Sequence, residues 1–299
     1  INKNENVVQL QSDDIIIKVD AKHITMKDVN SGSFMLTSEL LIFDSPSKYL
    51  DISLDEVVYV FKRRYLAQDT SLEIFTNMHR AYFFEFVGDQ RDQIIHELLR
   101  INPKNLKFVQ DTDDSIKRLI EKTQRVWQDG KMSNFDYLMA INMFSGRTYN
   151  DLGQYPVFPW VIADYTSDVL NLNDLSVYRD LAKPLGALTE ERLRMLKERL
   201  DDADGMDMPY LYGSFYSSSA VVIGYLIRVE PFTSLHIKLQ SGKFDLSDRL
   251  FNSIPKAWES VTTAMMDFRE LIPEFFYLPD FLVNANNFDL GISISISKT

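Results

Sequence analysis

The side chains able to do chemistry in this chain are few and scattered. His23, His79, His96 and His236 lie far apart, and none has a second histidine three or four residues on, so no helix can present a zinc-binding pair. Cysteine is absent, which excludes disulfides, thiolate metal sites and a sulfur nucleophile. The serines of "GSFYSSSA", starting at Gly213, resemble a nucleophile elbow only loosely and suit a helix start better. The patterns G-x-S-x-G, G-x-G-x-x-G and G-x-x-x-x-G-K-[ST] do not occur, so oxyanion and phosphate cradles lack their backbone. Asp113 with Asp114, and Asp201 with Asp202, sit in polar runs and share one environment, whereas an acid/base couple needs two unlike ones. They read as solvated helix ends. The expectation is a protein with no catalytic residue, no metal and no cofactor.

Charge narrows the partners. The 299 residues carry a formal net charge of -11, against the clustered Lys and Arg that phosphate-backbone binding requires, so nucleic acid is not an expected partner. Lys62, Arg63 and Arg64 form a small basic cluster, while Lys18, Lys22 and Lys27 alternate with Asp20 and Asp28. At about 1 kcal/mol per exposed cation near an anionic surface, lipid headgroup binding through this region is the minor reading. The longest apolar run, "AVVIGYLI" at Ala220 to Ile227, is under half the roughly 20 residues of a membrane span. The opening "INKNENVVQL" has no secretory pattern, and its initial Ile suggests a fragment. A cytoplasmic setting is expected.

The elements that must position any site change character along the chain. "DIIIKVD", "GSFMLTSELLIFD", "EVVYVFKRRYL", "SLEIFT" and "RAYFFEFV" are β-rich runs separated by turn residues, the pattern of a meander or small barrel. "GDQRDQIIHELLRI" then predicts a helix with Ile94, Ile95, Leu98 and Leu99 on one face and Asp89 at its cap. The polar stretch 109–114 separates a first domain, 1–108, from a mainly helical second, 115–299. Ile116, Leu119, Ile120, Thr123 and Trp127 share a stripe; "SNFD" from Ser133 has capping-box form; Thr189 caps a helix buried through Leu193, Leu196 and Leu200, with Glu190 and Arg194 as a surface pair. "SSSAVVIGYLIRVEPF" reads as a buried helix or a strand. The fold class is α+β.

One stretch resists regular structure. In "YNDLGQYPVFPWVIADY", Pro156 and Pro159 remove backbone donors and push Tyr155 and Phe158 to extended geometry. Yet Tyr155, Phe158 and Trp160 are worth burying at about 25 cal/mol per Å². Both demands are met if the segment threads the interior as irregular chain and side chains answer its backbone, since an unpaired buried polar group costs about 1–3 kcal/mol. Asn134, Asn142, Arg147, Asn150 and Gln154 are the flanking groups expected to form that network.

The stretch from Trp127 to Tyr165, with "SNFDYL" and "GRTYNDLGQYPVFPW", closely resembles the opening of a BEACH domain. "YRDLAKPLGA", "FYSSSA", "RVEPFT", "GKFDLSDRLFNSIPKAWES" and "ELIPEFFYLPDFLVNANNFDLG" are similar to later blocks of that family, and "FKRRYLAQDTSLEIF" to a strand pair of the PH-like domain that precedes it. The resemblance implies a PH-like β-barrel with a C-terminal helix, then a helical BEACH domain with extended irregular core segments. It also implies a neurobeachin-like, non-enzymatic scaffold in vesicle and lysosome-related trafficking and autophagy, peripheral on endosomal, lysosomal or vesicle membranes. A protein partner is expected at the interdomain groove, with Arg63, Arg64 and Tyr65 on one side and Asn142, Arg147 and Tyr149 on the other; a peripheral membrane adaptor is the alternative. The family continues past "NNFDLG" where this chain runs into "ISISISKT", which implies a shortened C-terminal part, with the alternating tail as an edge strand in the plainer reading.

Overall fold

The computed structural model describes residues 14–203, 205, 209–212 and 214–292. The opening ten residues, Gly213 and most of the Ile/Ser tail lie outside them. The chain divides into two compact units between Asp151 and Leu152.

In the first unit one sheet has the order β4-β3-β2-β1-β7-β6-β5-β8. Its strands are β1 (Ile15–Ile24), β2 (Val29–Thr37), β3 (Leu40–Asp44), β4 (Tyr49–Ser53), β5 (Val57–Tyr65), β6 (Gln68–Thr76), β7 (Ala81–Phe86) and β8 (Phe108–Val109). All neighbours are antiparallel except β8, which runs parallel to β5. "GSFMLTSELLIFD" is two strands, not one, because Thr37 Oγ1 accepts the Leu40 N–H at 2.8 Å and returns its own proton to the Leu40 carbonyl, closing a turn. Alternate residues of the strands point inward, and Phe34, Leu36, Phe43, Val60, Leu72 and Phe84 share one core with Ile94, Ile95 and Leu98 of helix α1 (Gln90–Ile101). Leu99 falls off that face and is 45% exposed. Asp89 stands at the cap position but makes no cap bond; its carboxylate takes Gln93 Nε2 instead.

Helices α2 (Asp113–Gln128) and α3 (Asn134–Phe144) complete the first unit. Thr112 and Ser115 form a reciprocal capping box at the start of α2, and Ser133 accepts the Asp136 N–H at the start of α3. Of the predicted α2 stripe, Thr123 is buried whereas Ile116 and Leu119 are half-buried and Ile120 is exposed. Trp127 stacks on Tyr137, centroids 4.4 Å apart, which joins the two helices.

The second unit is helical with long irregular connections: α4 (Glu190–Asp201), α5 (Ser219–Tyr225), α6 (Phe232–Leu239), α7 (Ile254–Thr263) and α8 (Glu274–Tyr277). The ambiguous apolar run is the helix α5, capped by Ser218. Thr189 caps α4, but Arg194 pairs forward with Glu198 at 2.9 Å and not back with Glu190. No helix among the described residues is long and apolar enough to cross a membrane.

Candidate interaction site

The outward face of β5-β6-β7 is where the first unit places charge under cover. On β5, Phe61, Arg63 and Tyr65 alternate with Val60, half-buried Lys62 and exposed Arg64; Glu73 of β6 is diagonal to Arg63, because the register sets Arg63 opposite Ser71 and Phe61 opposite Glu73. Arg63 is 2% exposed and Glu73 1%. Arg63 Nε donates to Glu73 Oε2 at 2.7 Å, and the guanidinium lies 5.0 Å from the Phe61 ring centroid. The other carboxylate oxygen accepts Thr148 Oγ1 at 2.5 Å and Asn150 Nδ2 at 3.2 Å. One buried carboxylate therefore ties two strands to the turn after α3, while Phe61 packs on Phe144 at 6.1 Å. This docking carries the compact unit past residue 108 to Asp151.

The residues predicted for a groove separate into two kinds. Arg63 and Asn142 are buried: Asn142 donates to the Leu138 carbonyl at 2.8 Å, one turn back on its own helix. Arg64 is exposed, and Tyr65, Arg147 and Tyr149 are half-buried, with the Tyr149 hydroxyl 3.7 Å from Met139 Sδ. Burial raises the Tyr65 hydroxyl pKa above its usual value, helped by the nearby charge of Asp151. Asn134 is exposed and accepts the Trp127 indole N–H at 2.8 Å.

Three of the cations weighed for lipid contact are paired with carboxylates. Lys62 pairs with Asp92 at 3.0 Å, Arg63 with Glu73, and Lys22 with Glu85 at 2.8 Å. The Asp92 carboxyl is held below its usual pKa although burial pushes it up, because Lys62 and Arg91 both bond to it. The bond from Lys22 to Glu85 holds the lysine ammonium above its usual pKa.

In the second unit the proline-broken segment is interior. Tyr155, Phe158 and Trp160 are 2%, 1% and 0% exposed; Pro156 is buried and Pro159 and Gln154 half-buried. Phe158 exchanges backbone bonds with Leu271, at 2.9 and 2.8 Å. The Trp160 amide donates to Glu270 Oε2 at 3.0 Å and its indole to the Arg269 carbonyl at 2.8 Å. Arg179 Nη1 clamps both oxygens of Glu270, at 2.8 and 2.9 Å. Tyr155 donates to Glu274 at 2.7 Å, and burial raises that carboxyl above its usual pKa. These answering groups include carboxylates, a guanidinium and main chain up to 119 residues away in sequence.

Glu73, Thr148, Arg179, Glu270 and Glu274 were thus missed by sequence reasoning. A signal existed for one of them: Glu73 interrupts the apolar run "LEIF" of a strand, which is unusual unless another layer covers that face. Among the described residues no three His, Cys, Asp or Glu side chains are grouped to hold a metal ion.

Comparison with known proteins places a family boundary before the division between the two compact units. The family description "Beige/BEACH domain" matches residues 125–299, and "PH domain associated with Beige/BEACH" matches residues 7–99. The BEACH domain-containing protein lvsE of Dictyostelium discoideum is 43% identical over 250 residues, covering 81% of this chain and 11% of that protein. The lvsD protein of the same organism is 39% identical over 295 residues, covering 86% and 10%. The chain therefore spans about a tenth of the length of these relatives. Among solved structures, the Slm1 PH domain in complex with inositol-4-phosphate aligns with 29% of this chain and 96% of its own at 12% identity, with a TM-score of 0.25.

Proposed function

Because this chain belongs to the BEACH-domain family, with an α+β fold that begins in a PH-like sheet, we propose that it is a non-enzymatic scaffold module. It binds a protein partner on the rim formed by Arg64, Tyr65, Arg147 and Tyr149. The observation that carries this is the Glu73 latch: Arg63, Thr148 and Asn150 converge on one buried carboxylate and hold the two sides of that rim in fixed register. Arg63 and Asn142 belong to the support and not to the contact surface. The module boundaries we assign are 1–108 and 115–299, joined by 109–114.

The process we assign is vesicle or lysosome-related membrane traffic, including autophagy, on the cytoplasmic side of endosomal, lysosomal or vesicle membranes. That assignment rests on the family resemblance. Arg64→Glu tests the site. Quantitative mass spectrometry should show one or more proteins recovered by the wild-type chain and depleted by the variant, at an unchanged melting temperature. Equal recovery removes the rim as the contact surface. Flotation with liposomes containing phosphatidylserine, at about 0.05 and 0.15 M salt, separates this reading from a lipid adaptor, which would float at the lower salt and release at the higher.

A further inference from the structure

Strand β1 outruns one of its neighbours. It pairs with β2 from Ile15 opposite Thr37 to Ile24 opposite Val29, but with β7 only through Ala21–Ile24. Among the described residues, the β7-side edge of residues 15–20 has no strand partner. Unpaired N–H and C=O groups along such an edge are a template for another strand.

The space beside that edge is shaped for an extended chain. A cavity of 560 Å³ opens between Ile16 and Ile17 on the strand and Asp89, Asp92, His96 and Glu97 on the helix side. The cavity runs along α1 from Asp89 to Arg100, about 17 Å, and reaches the unpaired strand edge at Ile16 and Ile17. Where the cavity meets the strand the wall is apolar, with Ile16 and Ile17 half-buried, and Lys18 and Asp20 farther along are exposed. The helix wall carries three carboxylates against one guanidinium, that of Arg100.

We propose that the free edge of β1 accepts an extended peptide bearing alternating apolar and basic residues, added as a further strand between β1 and α1. Main-chain bonds to the edge supply affinity, and alternate side chains supply specificity. Apolar side chains meet Ile16 and Ile17; lysine or arginine meets Asp89, Asp92 and Glu97. Asp92 is bonded by Lys62 and by the buried Arg91, and Glu97 by Arg100; the bonds to Lys62 and Arg100 involve partly exposed side chains, and such pairs exchange at little cost. A second copy of this chain, pairing edge to edge, is disfavoured because it would set the acidic walls of two α1 helices against each other.

The test is selection of dodecapeptides from a displayed random library on the full chain. Enriched peptides should alternate apolar and basic residues and bind with Kd of about 10 µM or tighter. Binding should weaken about tenfold on Gln93→Lys/Glu97→Lys, and again when salt rises from about 0.05 to 0.5 M. In the wild-type complex, amide exchange should slow over residues 15–20, a readout that does not depend on how the variant folds. The proposal is overturned by failure to enrich, by acidic consensus peptides, by undiminished binding to the variant, or by protection elsewhere. Light scattering that shows dimers protected at the same edge would overturn it in favour of a second copy.

Discussion

Replacing Arg63 with alanine tests the latch most directly. Arg63 and Glu73 are both nearly inaccessible and 2.7 Å apart, so the variant leaves Glu73 buried with only Thr148 and Asn150 as donors. Removing one partner of such a pair costs about 3–5 kcal/mol, and the lost packing of the arginine stem on Phe61 and Phe75 acts in the same direction. The double variant Arg63→Met/Glu73→Gln removes both charges, keeps an acceptor for Thr148, and should recover all but about 1–2 kcal/mol. Arg64→Ala, one residue on and exposed, should stay within about 0.5 kcal/mol of wild type. Two compact units need not unfold together, so the assay should be local: urea-dependent hydrogen exchange of peptides from β5 and β6. A loss below about 1 kcal/mol in Arg63→Ala, or a double variant no more stable than the single, would refute the reasoning.

Three further outcomes follow from named contacts. Burial among Phe43, Tyr82 and Phe84 lowers the His23 pKa from 6.5 to about 4, the charge of Lys48 adding to it. The unfolded chain therefore takes the proton first, and the first unit should keep its stability above pH 6.5 and lose up to about 3 kcal/mol as pH falls to 4; urea midpoints of wild type and His23→Phe, which should lack this slope, check it. Glu270→Ala strands the Trp160 amide and the Arg179 guanidinium and should destabilise the second unit by about 3 kcal/mol, measured by exchange of residues 158–162. Leu66 and Ala67 occupy the two-residue β5–β6 turn at φ 47° and 66°, left-handed values that suit Asn-Gly, and Leu66 is 76% exposed. Leu66→Asn/Ala67→Gly should raise stability by about 1 kcal/mol, seen as a melting temperature higher by about 2–4 °C.

Some of this molecule is written in residue types and their local spacing. The β-rich runs, the caps at Ser133 and Thr189, and the motifs around Pro156 and Pro159 were all legible, because period, turn chemistry and capping act within a few residues. The two-strand nature of "GSFMLTSELLIFD" was hidden, since a four-residue turn built by Thr37 needs neither Gly nor Pro.

Burial and pairing were decided elsewhere. Arg63 and Arg64 are neighbours of the same type, yet one is sealed against Glu73 and the other faces solvent, because strand alternation puts them on opposite sides and, at this end of β5, only the side of Arg63 is covered. Glu73 meets Thr148 across 75 residues, and Trp160 meets Glu270 across 110. Desolvation makes those bonds obligatory, and which groups are desolvated together depends on how distant segments stack, a property of no short stretch of chain.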